Sequence, residues 1–334
     1  MTWIDQTQKT PPYGLQRAWQ ILRVPGFRDP QTQGILCILG AVALLSLSDA
    51  IVKAQDGSVG LGQLLFLRSG FALVIIFIAA FLSGRLSALW PQNAKAVAVR
   101  SLCLGGMWLS YYASLPLLPL PVAAAGFYTS PFFMALFTVL LTREKVGANR
   151  WLIVLCGIGG VLLMLRPTES EIPWPIGLAV LAAALYALAA LVTRGGCRHE
   201  SVWSLAFCLN WVLVLLGAGL SAGLWAFPPP DTWQDAAPFL LTGWREVDGP
   251  TLLLMLGLGV LLALICGGVA KAYQSAPAPV VGVFDNFYVI FAGFWAVVLF
   301  SQQFELLDYA AIAMISLSGG LAAFSRGSAS GRKL

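Results

Sequence analysis

The sequence predicts an all-α polytopic membrane protein, with ten transmembrane helices arranged as two inverted five-helix repeats. Of the 334 residues, 58% are hydrophobic and only 10% are charged, whereas a soluble domain is about 25% charged. The charged residues are concentrated between apolar runs of roughly 20 residues, the length that a helix needs to cross a bilayer. The second half of the chain also repeats part of the pattern of the first half.

Ten apolar runs have the length of a membrane-spanning helix. Proline, glycine and charged residues separate these runs, as is typical of the connections between helices. The connection 227–250 is long, and Trp233 and Trp244 flank an apolar patch within it, which favours a loop at the level of the headgroups. The predicted spans are 33–53, 60–83, 96–115, 120–142, 149–166, 174–194, 202–226, 251–271, 278–300 and 307–325.

Lysine and arginine are distributed unequally between the two sides of the membrane. If the chain starts in the cytoplasm, 16 of the 20 basic residues lie on the inner side and three on the outer side, while Arg68 lies within a span. Because inner loops carry the excess of basic residues, segments 1–32 and 326–334 are predicted to be cytoplasmic tails. We therefore attribute the net charge of +5 to the basic residues that orient the chain in an inner or plasma membrane. We expect no nucleic-acid partner.

The two predicted halves, 33–166 and 174–325, are related by a weak repeat. A shift of 159 residues aligns 113–160 with 272–319 without a gap. Each half has five spans, an odd number, so the second half enters the membrane upside down relative to the first. The long outer connection 227–250 belongs to the second half. Inverted repeats of this kind are common in secondary transporters.

Three local motifs resemble those of one transporter family, and the resemblance extends over nearly the whole chain after residue 33. They are Arg68 in LFLRSGF, the spacing from Pro131 to Glu144 in the fourth span, and the glycine-rich WLIVLCGIGGVLL at 151–163. Together they resemble the ten-helix EamA-type branch of the drug/metabolite transporter superfamily. The resemblance implies two EamA-like repeats and a cavity lined by spans one, three, four, six, eight and nine. It also implies export or uptake of amino acids, nucleosides or related metabolites.

The second half departs from that family pattern. Asn210, Ile290 and Gln303 stand where the repeat would place the arginine, the proline and the glutamate. We therefore do not expect the two halves to contribute equally to the mechanism.

Two acidic residues within predicted spans are candidates for binding or coupling, since a charge at membrane depth is costly unless it is paired or faces water. Asp285, followed by Asn286, is expected to be the group that responds to a proton or binds a cationic group; the alternative is a buried acid hydrogen-bonded to a neighbouring helix. Asp49 shares a helix face with Ser46. For Asp49, the alternative to a functional role is an ion pair with Lys53 one turn later.

The other intramembrane candidates are a cation, a proline and several aromatic rings. Arg68 needs an acid or several carbonyl groups and is expected to be a structural charge, and Pro131 is expected to kink the fourth span and expose carbonyl groups. Aromatic faces with hydroxyl groups suit flat or cationic solutes, although belts at the membrane interface and ordinary packing are alternatives. The aromatic candidates are Trp108, Tyr112, Tyr128, Tyr273 and Tyr288. Gly219 and Gly223 are expected on a packing surface.

The sequence favours a secondary carrier that moves a small zwitterionic or amphiphilic metabolite by alternating access. It contains no GxxxxGK phosphate-binding loop, and its one histidine, His199, lies in a predicted cytoplasmic loop. We therefore expect no enzyme, no catalytic residue, no cofactor and no metal site. The expected partners are membrane lipids, the substrate and a coupling proton or cation, and the expected state is a monomer. The alternatives are a lipid-intermediate flippase, and a membrane-embedded acyltransferase or non-catalytic membrane subunit.

Overall fold

The computed structural model describes residues 29–55, 59–142, 148–165, 173–276, 281 and 284–325. Every element in these ranges is helical. The predicted tails therefore lie outside the described residues, except for 29–32, which belong to the start of the first helix. The α-helices in chain order are α1 Pro30–Lys53, α2 Leu61–Leu82, α3 Ala94–Ser114, α4 Leu120–Phe127, α5 Ser130–Phe137, α6 Ala148–Leu165, α7 Ile176–Gly196, α8 Val202–Ala226, α9 Asp231–Ala236, α10 Pro238–Leu241, α11 Gly249–Ser275, α12 Tyr288–Phe300 and α13 Leu306–Ser325.

Within the described part of the chain, six segments are helical over 18 or more residues and apolar enough to cross a membrane. Three shorter apolar helical segments lie in α6, α12 and α13. The chain is therefore a multi-pass membrane protein. The helix α3 falls outside the six because Lys95 and Arg100 interrupt its apolar character near the start.

Several helices begin where a polar side chain caps the free backbone N–H groups of the first turn. The carboxylate of Asp29 accepts a hydrogen bond from the Thr32 backbone N–H at 3.2 Å, with Pro30 in the first helical position. The carboxylate of Asp248 accepts one from the Thr251 N–H at 3.0 Å. Hydrogen bonds from the side chain and backbone of Thr251 hold the pKa of Asp248 below its ordinary value. These caps lie within a few residues of the predicted ends of the spans.

The fourth predicted span is not one kinked helix. It divides at Tyr128 and Thr129 into α4 and α5, and a π-helical turn, Thr138–Thr142, follows. Pro131 lies in the first turn of α5, where a missing N–H breaks no helical hydrogen bond. The Thr129 hydroxyl donates to the Gly126 carbonyl at 2.8 Å. Pro131 therefore lies in the first turn of a new helix, whereas the expectation from the sequence was a kink in a continuous one.

The long connection 227–250 is folded against the start of α2. It contains the short helices α9 and α10, and Phe239 in α10 is buried. The Gln63 side chain donates to the Arg245 carbonyl at 2.7 Å and accepts from the Arg245 backbone N–H at 3.2 Å. Trp244 contacts Phe66 edge-on, while Trp233 is exposed. The connection therefore forms a cap over one end of the bundle.

The helices of the first half pack chiefly on helices of the second half. The main pairs are α1 with α11, α2 with α8, α3 with α7, and α6 with α13, and α4 also contacts α12. Small residues allow close approach: Gly34 at the start of α1 lies against Ala276 after α11, and Gly268 of α11 lies against Ala41 of α1. These two contacts make α1 and α11 antiparallel.

Gly217 is the residue of α8 that packs closely on α2. A Cβ atom at Gly217 would lie 2.5 Å from the Gly62 carbonyl oxygen and 2.5 Å from the Phe66 backbone nitrogen. A Cβ atom at Gly219 or Gly223 would meet nothing within 4 Å. The expectation that Gly219 and Gly223 form a packing surface was therefore wrong. Gly219 follows Gly217 by two residues, and residues two apart on a helix do not share a face.

Candidate functional site

The carboxylate of Asp49 lies buried at the junction of α1, α3 and α12, with 1% of the residue exposed. Its Oδ2 accepts a hydrogen bond from the Tyr288 hydroxyl at 2.6 Å, and its Oδ1 accepts one from the Tyr112 hydroxyl at 3.1 Å. The hydroxyl groups of Tyr111 and Tyr288 are themselves hydrogen-bonded at 2.7 Å. Because Tyr288 donates to Asp49, Tyr111 donates to Tyr288. Three tyrosines therefore surround one carboxylate.

Lys53 does not pair with Asp49, so the expected ion pair was wrong. The Lys53 ammonium group donates to the carbonyl groups of Leu115 and Leu118, each at 2.6 Å, and lies 5.6 Å from the centre of the Phe300 ring. Leu115 is the C-cap residue of α3, so its carbonyl group has no partner within the helix. Lys53 therefore stabilises the turn between α3 and α4, and Asp49 is left to the tyrosines.

The guanidinium group of Arg68 lies against two aromatic rings of α3. Its central carbon is 5.1 Å from the centre of the Trp108 ring and 5.2 Å from that of Tyr112. Arg68 is 2% exposed, and its Nε has no hydrogen-bond partner. Its charge also interacts electrostatically with that of Asp49. Arg68 is therefore held by cation–π contacts, at a position where its charge acts on Asp49.

Tyr112 connects the two charges, since its ring faces Arg68 and its hydroxyl group donates to Asp49. We call the set Asp49, Arg68, Trp108, Tyr111, Tyr112 and Tyr288 the Asp49 cluster. A buried carboxylate and a buried cation that share one aromatic residue can respond to a proton, a cation or a charged solute. The cluster therefore has the chemistry of a binding or coupling site within the membrane.

Tyr128 links this cluster to the segment that carries Asp285. Its ring centre lies 6.1 Å from that of Tyr288, and its hydroxyl group donates to the backbone carbonyl of Asp285 at 3.1 Å. Asp285 is half-buried and Asn286 is buried. The Asp285 segment is therefore fixed beside the Asp49 cluster through its backbone.

Another predicted candidate, Ser46, has its hydrogen bond elsewhere. Ser46 is fully buried, but its hydroxyl group donates to the Ala43 carbonyl of its own helix at 3.0 Å. The side chain of Tyr273 lies outside the described residues. The structure therefore brings Asp49, Tyr112 and Tyr288 into direct hydrogen bonding, and gives Ser46 a local partner.

Phe127, which sequence reasoning missed, extends the cluster towards Tyr186 of α7. The ring of Phe127 lies 5.4 Å from that of Tyr111 and 5.3 Å from that of Tyr186. These contacts join α3, α4 and α7, so rings from both halves of the chain line one region. The adjacent Tyr111 and Tyr112 were the sequence feature that could have predicted this contact, because two neighbouring tyrosines at a helix end can contact different helices.

Known proteins with similar sequences indicate the family to which this arrangement of residues is related. Residues 32–166 match the EamA-like transporter family. The chain is 31% identical to the riboflavin transporter of Rhizobium johnstonii over 53% of each chain. It is 28% identical to the riboflavin transporter of Vibrio cholerae over 76% of this chain and 80% of that protein.

A third relative extends the similarity to almost the full length of both proteins. The chain is 24% identical to the pseudopaline exporter of Pseudomonas aeruginosa, over 87% of this chain and 97% of the exporter. The chain therefore has an EamA-like transporter domain over residues 32–166, and these relatives are named as transporters. The resemblance noted from Arg68, Pro131 and residues 151–163 is thereby confirmed, and the transporter acts on small molecules.

The fold of this chain also resembles that of a solved protein. A crystal structure with 19% sequence identity superposes with a TM-score of 0.63, covering 91% of this chain and 100% of that chain. At this level of identity the comparison establishes a shared helical fold.

A cavity lies beside Lys53. Its volume is about 630 Å³, and it is lined by Lys53, Pro116 and Leu117, together with Phe239 of the connection 227–250 and Phe300 of α12. Asp49, one turn before Lys53 in α1, is absent from the described lining of this cavity. The cavity therefore lies between Lys53, the α3–α4 turn and the connection 227–250.

Proposed function

We propose that this transporter is a secondary carrier that moves a small metabolite with a flat or charged organic group, of the amino-acid, nucleoside or related class, by alternating access. The observation that carries the proposal is the Asp49 cluster, in which a buried carboxylate and a buried guanidinium group share Tyr112. Burial of two charges within a membrane protein is costly, and residues of this kind usually serve the transported solute or ion.

The packing of the helices supports two inverted halves with ten spans. In the proposed arrangement, α1 to α3 are spans one to three, α4 with α5 is span four, and α6 is span five. The helices α7, α8, α11, α12 and α13 are spans six to ten. A two-fold axis that exchanges the halves turns the α3–α7 contact into the α11–α1 contact, and maps α2–α8 and α6–α13 onto themselves. These are the principal pairs in the bundle.

The substrate class is supported by the rings around the cluster and by the named relatives. Riboflavin, the solute in the names of two relatives, is a flat heteroaromatic ring system with a polyhydroxylated chain. Rings such as Trp108, Tyr128 and Phe127 offer faces for stacking, and tyrosine hydroxyl groups offer hydrogen bonds. We propose a solute with these features, and riboflavin is the first compound to test.

Asp49 is proposed as the group that responds to a coupling proton or cation. Its two tyrosine donors belong to α3 and α12, so a change in its charge alters contacts among three helices at once. Asp285 is kept as a second candidate for the same role, close to the proposed substrate. We also propose that the transporter is a monomer of the inner or plasma membrane, with both termini in the cytoplasm.

The test is exchange of labelled riboflavin by the purified transporter in vesicles loaded with unlabelled riboflavin. We expect exchange by the wild type, loss of exchange in Asp49→Asn, and unchanged exchange in Asp231→Asn, which alters an exposed acid of the connection 227–250. Wild-type exchange rates in Asp49→Asn would contradict the role of Asp49. Scrambling of a fluorescent lipid without any riboflavin flux would favour a flippase.

A further inference from the structure

An apolar groove lies between α2, α8 and α11. Its volume is about 360 Å³, and its walls include Ile75, Trp203 and Leu264. It lies over a packed apolar cluster around Ile76 and Leu89. Leu264 is 55% exposed, so one wall belongs to the surface that faces lipid. The groove is therefore open to the bilayer.

Two basic residues lie at one end of this groove. Arg85 follows α2, and Lys271 lies in the last turns of α11, and both are exposed. Among the described residues of the lining they are the charged members, and none of the others is a carboxylate. Exposed lysine and arginine side chains beside an apolar surface attract the phosphate of a lipid. The groove therefore combines an anion-binding end with an apolar wall.

The dimensions of the groove fit one leaflet of a bilayer. Along α11 the lining runs from Val260 to Lys271, which at 1.5 Å per residue is about 16 Å. Half of the hydrocarbon core of a bilayer is about 15 Å thick. A phosphate bound at the basic end would therefore leave its acyl chain lying along the groove towards Val260.

We propose that this groove binds an anionic phospholipid, with Arg85 and Lys271 holding the phosphate and the apolar wall holding an acyl chain. A free phosphate would use the two cations but not the apolar wall, so the groove as a whole selects a lipid. The basic end is also the end at which the sequence places most lysine and arginine residues. The proposal does not depend on the identity of the transported solute.

The charges are tested by native mass spectrometry of the full chain in detergent, titrated with phosphatidylglycerol or phosphatidylcholine. The wild type is expected to prefer phosphatidylglycerol. The double variant Arg85→Gln/Lys271→Gln is expected to bind it roughly ten to thirty times more weakly. The matched control is Lys95→Gln/Arg198→Gln, which removes one exposed lysine and one exposed arginine from the same end outside the groove, and it should keep wild-type binding.

The apolar wall is tested by filling the groove at Gly267. A Cβ atom at Gly267 meets nothing within 4 Å, so a larger side chain there enters the groove without disturbing the helix contacts. Gly267→Leu should weaken phosphatidylglycerol binding, whereas Gly257→Leu, at an equally open position of α11, should not.

Three results would overturn the lipid site. They are wild-type binding in the Arg85/Lys271 double variant, equal affinity of the wild type for the two lipids, and wild-type binding in Gly267→Leu. If the Arg85/Lys271 double variant loses binding and Gly267→Leu does not, the phosphate binds at the protein surface and the acyl chain does not lie in the groove.

Discussion

The hydroxyl group of Tyr288 donates a hydrogen bond of 2.6 Å to the carboxylate of Asp49, across 239 residues of sequence. Asp49 belongs to α1 in the first half of the chain, and Tyr288 is the first residue of α12 in the second half. One contact therefore ties a buried charge to a helix start in the other half. A change at Asp49 therefore alters a contact made by the first residue of α12.

Replacement of Tyr288 by phenylalanine should destabilise the protein. The variant removes a donor from a buried carboxylate and leaves Tyr111 without its acceptor, and a hydrogen bond to a charged group contributes roughly 1.5–3 kcal/mol. Thermal unfolding in detergent measures the effect. Tyr309→Phe, on an exposed tyrosine, is the control. In a double-mutant cycle with Asp49→Asn the effects should not be additive, and additive effects would contradict the contact.

Substitutions at Tyr112 should separate its two contacts. Tyr112→Phe keeps the ring beside Arg68 and loses the hydroxyl group that donates to Asp49, whereas Tyr112→Leu loses both. We expect Tyr112→Phe to lower the unfolding temperature, and Tyr112→Leu to lower it further because Arg68 loses a cation–π contact of about 0.5–2 kcal/mol. The same order is expected for riboflavin exchange. If the two variants unfold at the same temperature, the stacking of Arg68 on Tyr112 contributes nothing.

A single methyl group at Gly217 should disturb the packing of α8 on α2. The new Cβ atom would lie 2.5 Å from two backbone atoms of α2, and overpacking of this kind costs roughly 1–3 kcal/mol. The matched control is Gly219→Ala on the same helix, where the Cβ atom meets nothing within 4 Å. Gly217→Ala should therefore unfold at a lower temperature than Gly219→Ala. Equal unfolding temperatures would rule out the close crossing at Gly217.

Lys53→Met should weaken the turn between α3 and α4. Methionine retains an unbranched side chain but cannot donate to the carbonyl groups of Leu115 and Leu118, and each buried acceptor left unpaired costs roughly 1–3 kcal/mol. We expect a lower unfolding temperature, measured in the same detergent as the control Lys95→Met. We also expect faster reaction of a cysteine placed at Leu117, which lines the adjacent cavity. Unchanged stability and reactivity would remove Lys53 from this role.

Apolar runs predicted the helices well because hydrophobic length is a local property of the chain. The predicted end of the first span at Lys53 and the limits of the seventh span, 202–226, coincide with the ends of α1 and α8. The break of the fourth span at Tyr128 was not predicted, because Pro131 is compatible with both a kink and the first turn of a new helix.

The contacts of the candidate site were less accessible to sequence reasoning. The types of these residues and their predicted depth in the membrane identified Asp49, Tyr112 and Tyr288 as candidates. Their grouping, however, depends on helices that are far apart in the chain. Spacing along α1 favoured Lys53 as the partner of Asp49. Lys53 instead donates to the carbonyl groups of Leu115 and Leu118 beyond the end of α3.

We propose above that the two halves of the chain have opposite orientations in the membrane, with the Asp49 cluster between them. A membrane-impermeant maleimide, applied to intact cells that express single-cysteine variants lacking the six native cysteines, tests it most directly. Cysteines at Glu169 and Asp235 should react from outside, whereas cysteines at Arg198 and Ser330 should react only after permeabilisation. Reaction of the Ser330 variant from outside, with the Arg198 variant protected, would contradict the inverted arrangement and the carrier mechanism built on it.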